Sequence, residues 1–267
     1  MANKTPLASW LYSKRQELNP RFKEFNWPAR VFPGLYDFST TVSWNGVEAG
    51  GRGVDSQREI ALEKSVAEAI ERLICKSLGF DSVGFALAGT HDPSDHARFE
   101  AMERFFLKWH LENRIPFSQV SVENEDAQKF RSQNPDAELS FFRMQTPSQL
   151  FGIVCSLKMK KTQSTALGFG LSNSLAKSIQ HSFREALPNF AWLMDEDRNI
   201  EFEMPWHIDT KFLLQIEPLL ARESRDEETL LLDMPSLTRL EVEKSKISVL
   251  SNAPIQTARF LVAEGER

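Results

Sequence analysis

Apolar residues recur at helical spacing near the N-terminus, where Leu7, Trp10, Leu11 and Leu18 fall roughly on one side of a helix over residues 5–19, closed by Pro20. From Arg30 to Ala49 the pattern changes. Val31, Phe32, Tyr36, Phe38, Thr40, Val42 and Trp44, punctuated by Pro33, Gly34 and the Asn45–Gly46 pair, predict paired strands, with the glycines of GGRG (Gly50–Gly53) ending the sheet segment. A long helix is expected from about Ser56 to Leu78, a strand near Val83 to Leu87, and a second helix opened by DPSD (Asp92–Asp95) and running to about Asn113. Phe117 to Val122, Leu139 to Met144 and Gly152 to Met159 read as strands, and Glu125 to Gln133 as a short helix. STALGFGLSNS supplies a further strand, a glycine pair and an N-cap candidate. A third long helix follows from near Ser172 through Ala186, interrupted near Pro188. Residues 211–222 suit one more helix, and short β-like runs occupy Leu240 to Val262. No Gly/Ser-rich linker divides the chain, so one α+β domain of mixed strands over residues 1–267 is expected.

Composition narrows the class. Hydrophobic residues make up 41% and charged residues 26%, the balance of a globular chain able to bury a substantial core. A net charge of -5, with KMKK (Lys158–Lys161) as the only basic run, speaks against a nucleic acid partner held through phosphates. Two cysteines, Cys75 and Cys155, cannot form a disulfide framework, which fits a reducing cytoplasm; both read as core-packing residues. MANKTPLASW lacks a signal-peptide core, and no window approaches 18 uninterrupted apolar residues, so neither secretion nor membrane spanning is expected.

The candidate chemistry lies in a repeated stretch. VAEAIERL (Val66–Leu73) and FEAMERFF (Phe99–Phe106) both contain E-x-x-E-R, so that Glu100, Glu103 and Arg104 follow Glu68, Glu71 and Arg72 by 32 positions. On a helical wheel Glu71, Arg72, Lys64, Ala61, Ser65 and Cys75 lie within about 60° of Glu68, opposite Val66, Ile70, Leu73 and Ile74. The same spacing serves a solvated face with weak ion pairs of about 0.2–0.5 kcal/mol. The second helix is apolar on both sides, because Leu107 and Leu111 share the side of Glu100, Glu103 and Arg104. Its carboxylates are therefore expected to be partly buried and to need a cation, a hydrogen-bond network or a raised pKa. Two such helices face to face would gather four carboxylates and two arginines, a set suited to Mg2+ and phosphate oxygens. Glu185, bordered by His181, Ser178 and Ser174, could close the same cavity. GGRG could offer backbone N–H groups to a phosphate with Arg52 as counter-charge, although no Walker or dinucleotide fingerprint occurs and a plain turn is the simpler reading. His91, His96, Asp92 and Asp95 could bind a metal, but DPSD is explained by its helix-opening role. Phe105–Phe106 and Phe141–Phe142 read as core.

In this order, GGRGVDSQREIALEKSVAEAIERL, DSVGFALAGTHDPSDHARFEAMERF and GFGLSNSLAKSIQHSFREAL resemble the YcaO superfamily over about Gly50 to Leu187. Members of that family show a G-K-G turn before a first E-x-x-E-R helix, an S-N-G-x-A segment before a second, and R-A-L-x-E in a third. The resemblance implies an ATP site whose glutamates hold Mg2+ and the triphosphate. ATP there phosphorylates a peptide amide oxygen, leading to azolines or thioamides. It assigns Glu68, Glu71, Glu100 and Glu103 to the metal, and Arg52, Glu68, Arg72, Ser82, Glu100, Arg104, His181 and Glu185 to the nucleotide. It implies a peptide or protein substrate, an accessory protein encoded nearby and a possible homodimer. The chain departs from the family pattern at Arg52 for lysine, Val83 for asparagine, His181 for arginine and Pro188 for glutamine, and it ends LVAEGER without a proline-rich tail. These departures leave a second expectation: a catalytically degenerate YcaO-like protein that binds nucleotide or peptide and scaffolds a partner.

Overall fold

Thr5 accepts a hydrogen bond from the Ala8 amide and so starts α1 (Pro6–Ser13), which buries Leu7 and Leu11. The computed structural model describes residues 5–80, 84–88, 92–194, 215–220, 234–242, 246–250 and 252–262. The helix expected over 5–19 is broken at Lys14: α2 (Arg15–Leu18) restarts after it, and Asn19 closes it in the left-handed region at φ 42°. The chain forms two compact units, Met1–Ala101 with Ser236–Arg267, and Met102–Pro235.

In the first unit, β1 (Arg21–Glu24), a helical turn α3 (Pro28–Val31), β2 (Tyr36–Trp44) and β3 (Val47–Asp55) follow. The three strands form an antiparallel sheet in the order β1-β2-β3. Asn45 and Gly46, at φ 48° and 79°, make the tight hairpin that Asn-Gly favours. All four residues of GGRG lie inside β3 and pair with Phe38–Thr41, which corrects the expectation of a loop after the sheet. The flanking Val47, Ala49, Val54 and Asp55 continue the pairing on either side, and the missing side chains leave room for the next helix. That helix, α4 (Arg58–Leu78), ends at Gly79 in a left-handed cap. Its apolar side buries Val66, Ile70, Leu73 and Ile74 in a core shared with Leu7, Leu11, Val42, Val249 and Leu250.

After β4 (Phe85–Ala88) comes α5 (Ser94–Asn113), opened by Asp92, whose carboxylate accepts from the Ser94 amide and hydroxyl. α5 begins in the first unit and continues into the second. The second unit adds β5 (Ser118–Val120), α6 (Glu125–Gln133), β6 (Ala137–Met144), β7 (Phe151–Met159), β8 (Thr165–Ser172) and α7 (Leu175–Met194). Its antiparallel sheet runs β5-β6-β7-β8. β7 and β8 are buried along nearly their whole length, as strands covered on both faces are. One side packs Leu107, Phe117, Phe142, Met144, Val154, Leu167, Phe169 and Ile216. Elsewhere in this unit Phe130 meets Phe183 and Phe190 edge-on. α7 is not interrupted at Pro188 but runs through it to Met194. A proline removes one helical N–H, yet burial of Phe183, Leu187, Phe190 and Ala191 around it holds the helix together. Of residues 211–222 only 215–220 are described, and they contain a short 3-10 turn, Glu217–Leu219. Two C-terminal strands, β9 (Leu237–Leu240) and β10 (Gln256–Val262), return to the first unit and complete a sheet ordered β4-β10-β9. Among the described residues, no helix is long and apolar enough to cross a membrane.

Candidate functional site

β3 is an edge strand, so the amides it turns away from β2 need partners elsewhere. Glu68 on α4 supplies one, its Oε2 accepting from the Arg52 amide at 2.5 Å. Its Oε1 lies 2.5 Å from Arg72 Nη2, while Arg72 Nη1 donates to the Gly50 carbonyl at 3.0 Å. The side of α4 carrying Glu68 is therefore not a freely solvated face: Ala61, Ser65 and Cys75 on it are buried. Glu71, one turn on, is half-buried. Burial pushes its carboxyl well above the usual carboxylate range, and the charges of Glu100 and then Glu68 push it further. Arg72 and a hydrogen bond from the Leu87 amide oppose the rise. Three of the predicted metal-site glutamates thus interact within the first unit.

The Arg52 side chain has a partner of its own. Asp37 on β2 is fully buried, accepts from the Trp27 indole N–H, and lies 2.6 Å from Arg52 Nη2 and 3.0 Å from its Nε. The guanidinium also sits over the Phe25 ring, 4.9 Å from its centroid. Arg52, expected as a phosphate counter-charge, is in this structure the counter-ion of a buried carboxylate. Sequence reasoning passed over Asp37, although its signal was present: a lone acid among the β-formers of a half-buried strand.

In the second unit Glu103 is 6% exposed. Burial raises its carboxyl, against the nearby Arg104 guanidinium and a hydrogen bond from the Leu171 amide. Arg104 Nη1 is 3.7 Å from Glu103 Oε1, and its guanidinium lies 6.0 Å from the centroid of Phe169. The Phe169 amide, on edge strand β8, donates to Glu185 Oε2 at 2.5 Å. Glu103, Arg104 and Glu185 thus gather around one end of β8. Ser178 is buried and donates to the Phe151 carbonyl at 2.6 Å, a packing role rather than a border to a hydrated cavity. His181 is exposed on α7, and Ser82 lies outside the described residues, as do Val83 and His91. Both cysteines are buried and neither forms a disulfide, and burial together with the charge of Glu185 holds the Cys155 thiol well above its ordinary value.

The oxygen-only donors fit Mg2+, a hard cation, better than zinc. Like-charged, desolvated Glu71 is the kind of group such an ion would relieve. Among the described residues no group of three or more His, Cys, Asp or Glu side chains is gathered closely enough to hold a metal ion by itself.

No protein-family model matches the sequence, and no curated protein matches it. Solved structures do. A YcaO from Methanopyrus kandleri bound with AMPPCP and Mg2+ superposes with a TM-score of 0.65 over 95% of this chain and 89% of its own, at 11% identity. A heterocyclase in complex with substrate and cofactor gives 0.63 over 91% of this chain and 49% of its own, at 12% identity. The chain has a YcaO-like α+β fold.

Proposed function

We propose that this chain, with its YcaO-like fold, uses ATP and Mg2+ to activate a backbone amide of a peptide or protein. The observation that carries this reading is Glu71, a carboxyl pushed up by burial and by Glu100 and Glu68, as expected where a divalent cation is to be received. The bound ligands of the two structural neighbours point the same way. In this reading Glu68, Glu71, Glu100 and Glu103 serve Mg2+, while Arg72, Arg104 and Glu185, with Ser82 and His181, serve the nucleotide. Arg52 contributes its backbone amide through Glu68. Mg2+ would neutralise triphosphate charge, and the chain's own part is positioning and electrostatic support.

The chemistry follows from the amide. Its oxygen is a poor leaving group; transfer of the γ-phosphoryl to it releases ADP and makes a phosphate ester that leaves readily once a nucleophile has added to the carbon. A neighbouring Cys, Ser or Thr side chain then gives an azoline with net loss of water, and sulfide gives a thioamide. The two units act together as one YcaO-like domain over residues 1–267, in a cytoplasm, with an accessory protein encoded nearby and a homodimer as partners. The test is co-expression with peptides encoded beside the gene, followed by mass spectrometry. Loss of one water or exchange of oxygen for sulfur, abolished by Glu71→Gln, is expected; an unchanged peptide together with absent nucleotide binding overturns the reading.

A second reading is favoured by the Arg52–Asp37 pair, which engages the one cation of GGRG in structure. On it, the chain binds nucleotide or peptide without turnover and scaffolds a partner. Binding of ATP with no ADP release in the presence of a modifiable peptide distinguishes the two.

A further inference from the structure

Two strand-to-helix connections in this chain are built alike. Gly51, Arg52 and Gly53 on β3 stand to α4 as Gly168, Phe169 and Gly170 on β8 stand to α7. Aligned without a gap, GRGV to SVAEA and GFGL to SFREA share both glycines, a serine, the glutamate and the alanine after it. The shared residues are the ones in contact. A Cβ on Gly51 would lie 2.2 Å from the Ala69 amide nitrogen and 2.4 Å from the Ser65 carbonyl; on Gly168 it would lie 2.4 Å from the Ala186 nitrogen and 2.1 Å from the Ser182 carbonyl. Only glycine permits a helix to approach a strand so closely. In both copies the residue between the glycines is on an edge strand, and its outward amide donates at 2.5 Å to a glutamate 16 residues later. A further bond recurs: Arg72 Nη1 donates to the Gly50 carbonyl, and Asn189 Nδ2, at the corresponding place, donates to the Leu167 carbonyl.

We infer that the chain carries one carboxylate-holding device twice, and that the Phe169 amide, set by Gly168 and Gly170, is the positioning group for Glu185, as the Arg52 amide is for Glu68. This rests on the nucleotide reading above. An N–H donated to a carboxylate is a strong, directional bond that fixes one oxygen and so directs the other. The copies differ where the chemistry should differ: Glu71 and Arg72 in the first correspond to Pro188 and Asn189 in the second. The repeated residues hold the glutamate, and the unrepeated ones give each half its charge.

The competing role for the same bond is purely structural, a glutamate covering an otherwise unpaired edge amide. Gly170→Ala would drive a Cβ to 2.4 Å from the Ser178 carbonyl and can unfold the unit, so the decisive variant changes one atom. Replacing Phe169 by its α-hydroxy analogue exchanges the N–H for an ester oxygen and keeps the ring; the same exchange at Thr165, also on β8 but outside the device, is the control. MgATP affinity is read by calorimetry, and amide proton shifts by NMR. We expect the Phe169 ester to weaken MgATP binding by about tenfold or more, with the control within about twofold of the unmodified protein. We also expect Glu185→Gln to move the Phe169 amide proton upfield and leave that of Arg52 in place, with Glu68→Gln doing the converse. Equal MgATP affinity in the ester and its control overturns this inference alone, leaving Glu185 as an edge cover. No MgATP binding by the unmodified protein overturns the nucleotide reading and this inference with it.

Discussion

Replacing Arg52 by methionine should destabilise the first unit without any ligand present. Arg52→Met keeps an unbranched stem near Phe25 but leaves Asp37, fully buried, with the Trp27 indole N–H and no cation. Breaking a buried ion pair from one side costs about 3–5 kcal/mol. The Arg52 side chain is 28% exposed, so solvent already screens part of the interaction and a loss of about 2–3 kcal/mol is expected. For a chain of this size that lowers the unfolding midpoint by about 5–10 °C. Asp37→Asn removes the stranded charge while keeping an acceptor for Trp27, so the double variant should recover more than half of the loss. Calorimetric midpoints of the four proteins in a double-mutant cycle give the coupling directly. A midpoint within about 2 °C of the unmodified protein for Arg52→Met would refute the assignment of Arg52 to Asp37 and return its guanidinium to the phosphates.

Glu71→Gln should raise the stability of the ligand-free protein at neutral pH while removing its response to MgATP. Because the folded value of Glu71 is raised, its contribution is fully present below the ordinary carboxylate range and is lost as pH rises through the folded value; glutamine abolishes that loss, seen by comparing midpoints at about pH 5 and about pH 8. Mg2+ binding should release protons over the same range, measurable by titration in buffers of different ionisation enthalpy. His110, buried and held neutral between the Ile115 carbonyl and the Gln145 amide, has a lowered folded value. Its contribution is present above about pH 6.5 and lost as pH falls through that lowered value, so His110→Gln should flatten the acid limb of stability against pH. Phe130→Ala should cost about 3–5 kcal/mol in urea unfolding by emptying the aromatic cluster with Phe183 and Phe190.

Local signals carried much of the fold. Asn45–Gly46 marked its hairpin, Glu125–Gln133 its helix to the residue, and the apolar runs of β6 to β8 their strands, because each is decided by neighbours within a few positions. What was illegible depended on distant partners. β1 reads Arg-Phe-Lys-Glu with every residue exposed, so no periodicity betrays it; it exists because β2 pairs with it. GGRG resembles a loop until α4 is known to lie against it, and Pro188 resembles a stop until the burial around it is counted. The glutamates were legible as a spacing, whereas the amides that hold two of them belong to strands whose edges only the assembled sheets define. Asp37 was visible as an acid in a strand, but Arg52 and Trp27 are its partners only after folding.

MgATP binding through the glutamates is the central claim of the proposed function. Thermal unfolding with ATP plus Mg2+, against Mg2+ alone, compares the unmodified protein with the Glu71→Gln, Glu103→Gln double variant. Nucleotide at ~100 times its dissociation constant should stabilise the folded protein by about 2.7 kcal/mol, a shift absent from the variant. No shift with ATP at millimolar concentration, or the same shift in the variant, would contradict the account.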